Sequence, residues 1–207
     1  MVDSAPRSLV LVGGGGHACV VLDAARASGL SVRGFLDDDG NALLARAGLP
    51  RLGPLSHALD GLYWHVAIGS IGTRARWLSR RPSLDSPPTS IIHPSARIAA
   101  DATVGPGTFV ACGAIVQPHA AIGANVILNT GVICEHHCVI GDNSHVAPGA
   151  VLGGGCRVGE GTLIGLGARV LPGLRIGAHA TIGAGAVVCE DVPGGSTFVG
   201  VPARRVA

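Results

Sequence analysis

The sequence predicts two folds joined in one chain: an α/β unit with a small, Rossmann-like parallel sheet over residues 1–88, and an all-β parallel coil over residues 89–207. Three observations carry this reading. Composition changes near residue 88: residues 1–88 hold 16 charged residues and four of the six aromatics, whereas residues 89–207 hold 12 charged residues, 21 of the 33 glycines and only Phe109 and Phe198 as aromatics. The first part alternates short apolar runs with stretches of helical spacing. The second repeats an aliphatic residue every six positions without interruption. Hydrophobic residues at 47% and a formal net charge of +2 exclude a disordered chain despite the 33 glycines and 13 prolines. Aromatics at 3% cannot fill a wide core, so small aliphatic side chains must pack in a narrow one.

In the first unit Ser8 to Val12 reads as a strand, Gly13 to Gly16 as a turn, and His17 to Ser28 as a helix with apolar spacing. Val32 to Leu36 is a second strand, ending in Asp37-Asp38-Asp39. Trp64 to Ile68 is a third, followed by Gly69-Ser70-Ile71-Gly72 and a helix around Thr73 to Arg80. This alternation with short turns predicts a parallel sheet. Ligands on such sheets sit at the carboxyl ends of the strands, which here carry Gly13–Gly16, Asp37–Asp39 and Gly69. A glycine turn opening onto a helix N-terminus brings backbone N–H groups near a phosphate, and the aspartates one strand over can accept hydrogen bonds from a ribose or a base. Ala18 takes the last glycine position of the dinucleotide fingerprint, an allowed variant, so the turn reads equally as a nucleotide site or as a simple tight turn. Prolines between Arg80 and Pro88 disfavour helix and mark the connection to the second unit.

In the second unit, stepping by six from Ile92 to Val188 meets 17 positions, of which 16 are Ile, Leu or Val and one is Cys134. The next position is glycine in eight of the 17, and the residue four places on is always modest in size, Leu174 being the largest. A six-residue unit is one short strand plus a corner, and three units close a triangular coil. Stacked coils pair as parallel strands, with the aliphatic residue and the small residue facing inward, which gives a parallel β-helix. Each buried Val, Leu or Ile contributes roughly 1.5–3 kcal/mol, and the stack repeats that gain. Between five and six coils at about 4.8 Å each make a prism about 27 Å long.

Several function classes are excluded. No run of 18 apolar residues is present for a membrane span, and Leu9–Val12 is too short for a signal-peptide core. All 15 basic residues are arginine, unclustered, which leaves no nucleic-acid footprint and no lysine for a Schiff base or a phosphate loop. Six cysteines without an export signal read as reduced thiols in a cytoplasmic protein. The densest chemistry lies in Asn129–Asp142, where Cys134 and Cys138 bracket His136 and His137. The repeat phase puts both thiols inward and both imidazoles outside the core, so the four do not converge on a zinc ion and no metal is expected. A histidine general base is the stronger reading, because the repeat demands no polar residues at 135–137; a solvated corner is the alternative.

Gly13-Gly14-Gly15-Gly16-His17-Ala18, Phe35-Leu36-Asp37-Asp38, Ala67-Ile68-Gly69, Ile92-His93-Pro94-Ser95-Ala96 and Val199-Gly200-Val201-Pro202-Ala203-Arg204 follow one another in an order that resembles the bacterial nucleotide-sugar N-acetyltransferases acting on 4-amino-sugars. Sialic acid O-acetyltransferases are close relatives. The resemblance implies a left-handed β-helix, a homotrimer with active sites between neighbouring prisms, acetyl-CoA as cosubstrate and a nucleotide-linked amino-sugar as acceptor. It places the catalytic base at His136, flanked by Glu135 and His137. An acid commonly follows the base in relatives; here His137 stands there, so assistance is absent or comes from Glu135 or Asp142. It further implies that His145 contacts the thioester, that Gly154, Leu166 and Ala184 line the acetyl-CoA groove, and that Gly15, Gly16, His17, Asp37, Asp38 and Gly69 bind the nucleotide-sugar, with Asn129 near the sugar. His136 and His145 are nine residues apart, half of an 18-residue coil, so they leave opposite sides of one prism, and a site using both needs two subunits. O-acetylation of a sialic acid or another sugar hydroxyl, and a non-catalytic trimeric sugar-nucleotide-binding scaffold, stay open. The γ-class carbonic anhydrases, with histidine pairs five residues apart, are disfavoured because no such pair occurs here.

Overall fold

The computed structural model describes residues 8–59, 61–80 and 87–206; most of the connection expected between Arg80 and Pro88 lies outside the described residues. Strands β1 (Leu9–Val12), β2 (Val32–Leu36), β3 (Arg51–Gly53) and β4 (Tyr63–Val66) form one sheet in the order β3-β2-β1-β4, parallel throughout. β1 is apolar at every position because it lies centrally with both faces covered. Leu9 and Leu11 pack with Ala18, Val21 and Leu22 of helix α1 (Gly16–Ala27), while Val10 and Val12 point to the other side, into a cluster with Trp64 and with Trp77 of helix α3 (Ile71–Ser79). The edge strand β3 and the one-turn helix α2 (Leu43–Arg46) were not expected. Both are too short for a periodic pattern to show.

From Ile91 the chain coils. Seventeen two-residue strands, from Ile91–Ile92 to Val187–Val188, recur every six residues, each ending on the aliphatic position of the repeat. The first fourteen each pair in parallel with the strand 18 residues on, which generates three faces. The first face runs from Ile91–Ile92 through His145–Val146 to Thr181–Ile182, the second from Arg97–Ile98 to Val187–Val188, and the third from Thr103–Val104 to Arg175–Ile176. The expected parallel β-helix is present, with Val, Ile, Leu and Ala filling its interior. Phe198, also in that cluster, pairs with Ile182 beyond the last complete coil.

The small inward residues have a second duty. Thr108, Ser144 and Thr162 are fully buried, and each hydroxyl donates to a carbonyl 15 residues on, at Gly123, Gly159 and Gly177 (2.8–3.0 Å). Cys138 and Cys156 do the same with their thiols, toward the carbonyls of Gly153 and Leu171 (3.1 and 3.2 Å). Hydrogen bonding with Cys134 and burial push the Cys138 thiol up to about 12, so it stays protonated and inert.

One residue per repeat, three places after the aliphatic position, turns the corner in the left-handed region. From 107 to 185 there are 14 such corners: nine are glycine, Asn125 and Asn143 are two, and His119, His137 and His179 are three. These are the residue types that reach this region most easily. Outward-facing Ile91, Phe109 and Ile127 of the first face are buried in one cluster with α1. The N-terminal unit is thus seated on the first face, and Phe109 is a large aromatic that the narrow interior had no need to hold.

Candidate active site

At the carboxyl edge of the sheet the glycine turn is tied to the β2 end. Gly13 N–H donates to the Leu36 carbonyl (2.7 Å) and Gly14 N–H to Asp37 Oδ2 (2.6 Å), while Asp37 Oδ1 accepts from Asp39 N–H (2.9 Å). A Cβ on Gly14 would stand 2.5 Å from the Phe35 ring, so the backbone crosses here only as glycine. A Cβ on Gly15 or Gly16 would meet nothing within 4 Å, and the first turn of α1 carries no acidic residue. An anion can therefore approach the helix N-terminus. A cavity of about 330 Å³ is lined by Gly15, Gly16, His17, Asp37 and Gly69, with Leu55 and Thr73 shared with a neighbouring cavity of about 540 Å³ that adds Asp38, Arg76 and Arg80. Asp38 Oδ1 accepts from Leu55 N–H (3.0 Å), which fixes the loop between the two.

Behind this cleft His65 and Arg74 are buried, and His17 and His145 half-buried, where the N-terminal unit meets the first face. His145 donates from Nδ1 to the Gly69 carbonyl (3.2 Å), since a carbonyl can only accept. Its bare Nε2 then accepts from Asn129 Nδ2 (3.2 Å), whose own Oδ1 is held by Thr130 N–H (2.9 Å). His17 stands edge-on to Phe109 (ring centroids 5.4 Å) and 6.3 Å from the His145 ring. His65 donates to the Thr89 carbonyl (2.8 Å). Arg74, 1% exposed, forks from Ile68 and Gly69 on its own side to Asn143 and Ser144 of the β-helix. Burial lowers its pKa to about 10, so it is charged at neutral pH.

These imidazoles are neutral at pH 7. Burial, then the charges of His145, His65 and Arg74, lower His17 to about 3. Burial and Arg74 bring His145 to about 4, and burial holds His65 at about 4 against its bond to Thr89. With folded pKa values below the unfolded 6.5 or so, the unfolded chain binds more protons as pH falls, so stability is complete above about 6.5 and is lost toward about 4. Each histidine contributes up to about 1.4 kcal/mol per pH unit in that window. Urea unfolding at about pH 7 and pH 5 is expected to show a loss of several kcal/mol; a flat profile would mean that the three rings are hydrated.

The edge opposite the first face carries the second group. His136 is exposed on the corner between the second and third faces, and Glu135 beside it is half-buried. An ideal Cβ on Gly154, one coil on, would lie 2.5 Å from His136 Cε1 and 2.6 Å from Nε2, so the ring rests on bare backbone. His136 Nδ1 is 3.1 Å from His137 Nδ1. Cys134 and Cys138 are fully buried in the interior while both imidazoles lie outside it, so the four do not converge. Among the described residues no group of three or more His, Cys, Asp or Glu is placed to hold a metal ion.

The residues named from sequence therefore fall into two groups within one chain. Gly15, Gly16, His17, Asp37 and Gly69 share one cavity, Asp38 lines the next, and Asn129 joins them through His145. His145 thus stands with this group. Glu135, His136, His137 and Gly154 lie on the opposite edge, and Leu166 (60% exposed) and Ala184 stack one coil apart on the edge between the first and second faces. Arg74 and His65 were missed: a lone arginine on the buried side of a short helix and a lone histidine in a strand leave no periodic signal.

An N-terminal parallel-sheet unit seated on a hexapeptide-repeat β-helix, with an exposed imidazole at one edge, defines a hexapeptide-repeat acyltransferase. The PglD N-terminal domain family matches residues 8–80, and the bacterial transferase hexapeptide (six repeats) family matches residues 137–171 and 155–190. The chain belongs to the family of bacterial nucleotide-sugar N-acetyltransferases with a PglD-type N-terminal domain. The acetyltransferase domain of PglB from Neisseria gonorrhoeae FA1090 is 34% identical, with a TM-score of 0.89 over 97% of this chain and 100% of that one. PerB from Caulobacter crescentus, solved in complex with CoA and GDP-perosamine, is 36% identical, with a TM-score of 0.91 over 98% of this chain and 99% of that one. WeeI from Acinetobacter baumannii AYE, at 22% identity and a TM-score of 0.63, shares the fold. No curated protein sequence matches the chain. No helix among the described residues is long and apolar enough to cross a membrane.

Proposed function

We propose that the chain moves the acetyl group of acetyl-CoA to the amino group of a nucleotide-linked amino-sugar, with residues 1–88 holding the nucleotide-sugar and residues 89–207 holding acetyl-CoA. The observation that carries this is the pair of imidazole sites on opposite sides of one prism, one behind a nucleotide-sized cleft and one exposed over Gly154. In a homotrimer His136 of one subunit would face the His17–Asn129–His145 group of its neighbour. The neutral amine attacks the thioester carbonyl carbon, and His136 Nε2 takes the proton that the amine loses as the C–N bond forms. Collapse of the tetrahedral intermediate breaks the C–S bond, and the thiolate leaves as CoA on protonation. Asn129 keeps a second amide N–H beyond the one given to His145, and we place the donor to the developing oxyanion at this pair. Exposed Leu166 and Ala184 offer a smooth, small-residue edge of the kind a pantetheine arm needs.

The test is thiol release from acetyl-CoA with GDP-, UDP- and dTDP-linked 4-amino-sugars, set against sialic acid and other free sugar hydroxyls, with product mass and amide identity as readouts. GDP-perosamine leads the panel because PerB was solved with it. Amide formation on one of the nucleotide-linked amines is expected. Release with hydroxyl sugars alone would replace the reading by O-acetylation, and release with none would leave a binding scaffold.

A further inference from the structure

We propose that His137 is a positioning residue for His136: it accepts the His136 Nδ1–H and so keeps Nε2, the nitrogen on the far side of that ring, bare and ready to take a proton. This rests on the reading of His136 as the base. The two Nδ1 atoms are 3.1 Å apart, and a single hydrogen joins them. If His137 donated it, a neutral His136 would carry its own hydrogen on Nε2 and could accept nothing there. Only the opposite arrangement leaves a base.

His137 is itself held. Its ring packs on His119 of the preceding coil (centroids 4.8 Å, planes at 48°), and His119 Nδ1 donates to Asp101 Oδ2 at 3.0 Å, since an ionised carboxylate only accepts. Asp101, His119 and His137 occupy one place on three successive coils, 18 residues apart, so the β-helix itself aligns the column. The fold does not require imidazole there. His137 sits at a left-handed corner (φ 60°) that nine of 14 repeats fill with glycine, and its neighbour in the column on the following coil is Gly155.

The corner permits two clean variants. His137→Gly removes the acceptor and relieves the left-handed backbone. His137→Asn keeps an acceptor, Oδ1, at the same bond distance from the backbone, on a residue the chain already uses at corners 125 and 143, and it does not titrate. Rates of acetyl transfer would be followed from about pH 6.5 to 9, the range where the fold keeps its full stability, with His136→Ala in parallel. His137→Gly is expected to lower kcat about tenfold or more with both KM values changed by less than about twofold. His137→Asn should recover most of that rate. A wild-type kcat and profile in His137→Gly, beside an inactive His136→Ala, overturns the role of His137 alone; an active His136→Ala overturns the reading of the base instead. Nitrogen-15 imidazole spectra of the free protein provide a readout independent of activity. His136 should be the Nδ1–H tautomer in the wild type and shift toward Nε2–H in His137→Gly, and an Nε2–H tautomer in the wild type overturns the proposal.

Discussion

Replacing His136 with alanine is expected to lower kcat for acetyl transfer by about 10²–10⁴-fold while leaving KM for both substrates nearly unchanged. The amine must lose a proton as it becomes an amide, and the exposed Nε2 over Gly154 is the acceptor placed for it. Stability should hold, because the side chain is exposed and the coil-to-coil bond from Gly155 N–H to the His136 carbonyl (2.8 Å) is backbone only. A companion variant makes the position of the ring the tested quantity. Gly154 is not at a positive φ, so alanine fits its backbone, yet the added Cβ falls 2.5–2.6 Å from the imidazole and must push it aside. Gly154→Ala should therefore cost kcat about tenfold or more, and adding it to His136→Ala should cost almost nothing further, since both act on one group. Full additivity in the double variant would mean that Gly154 matters for acetyl-CoA and not for the base. An unchanged rate in His136→Ala would remove the imidazole from the chemistry.

The β-helix was legible because its physics is periodic. An inward aliphatic residue every sixth place survives any change on the outer faces, and the same phase puts Cys134 and Cys138 inside. The left-handed corner was equally periodic, but His119, His137 and His179 hid it by taking places that glycine fills in most other repeats. His137 thus read as one of a polar cluster, whereas it is a corner residue first and a neighbour of His136 second. The nucleotide-binding cleft was legible as loops at strand ends, because a parallel sheet offers few other places for a ligand. What held those loops was not. Asp37 read as a ligand group, yet both of its oxygens are engaged by backbone N–H groups of Gly14 and Asp39. His145 read as a partner of acetyl-CoA, yet its two nitrogens bind Gly69 and Asn129 from opposite sides. Contacts between residues 69 and 145 depend on how one folded unit sits on another, and no local pattern encodes that.

Arg74 joins those units, and its removal should be the most destabilising single change in the chain. The guanidinium donates to the carbonyls of Ile68 and Gly69 and to those of Asn143 and Ser144, at 2.8–3.4 Å, in a setting where the side chain is 1% exposed. Arg74→Ala withdraws a charged donor from several acceptors at once and leaves a cavity, for a loss of about 3 kcal/mol or more. For a chain of this size that is a fall in melting temperature of about 6–12 °C. Arg74→Met restores much of the volume without the donors, so the difference between the two separates packing from hydrogen bonding. Arg74→Lys keeps the charge but lacks the planar fork, and one ammonium cannot span both pairs of carbonyls. The Gly69 carbonyl also receives His145 Nδ1–H, so loosening Arg74 loosens the histidine as well. In Arg74→Met the KM for the nucleotide-sugar should therefore rise by more than that for acetyl-CoA. If Arg74→Ala melts with the wild type, the seating of the N-terminal unit rests on the apolar contacts of Ile91, Phe109 and Ile127, and the guanidinium is incidental.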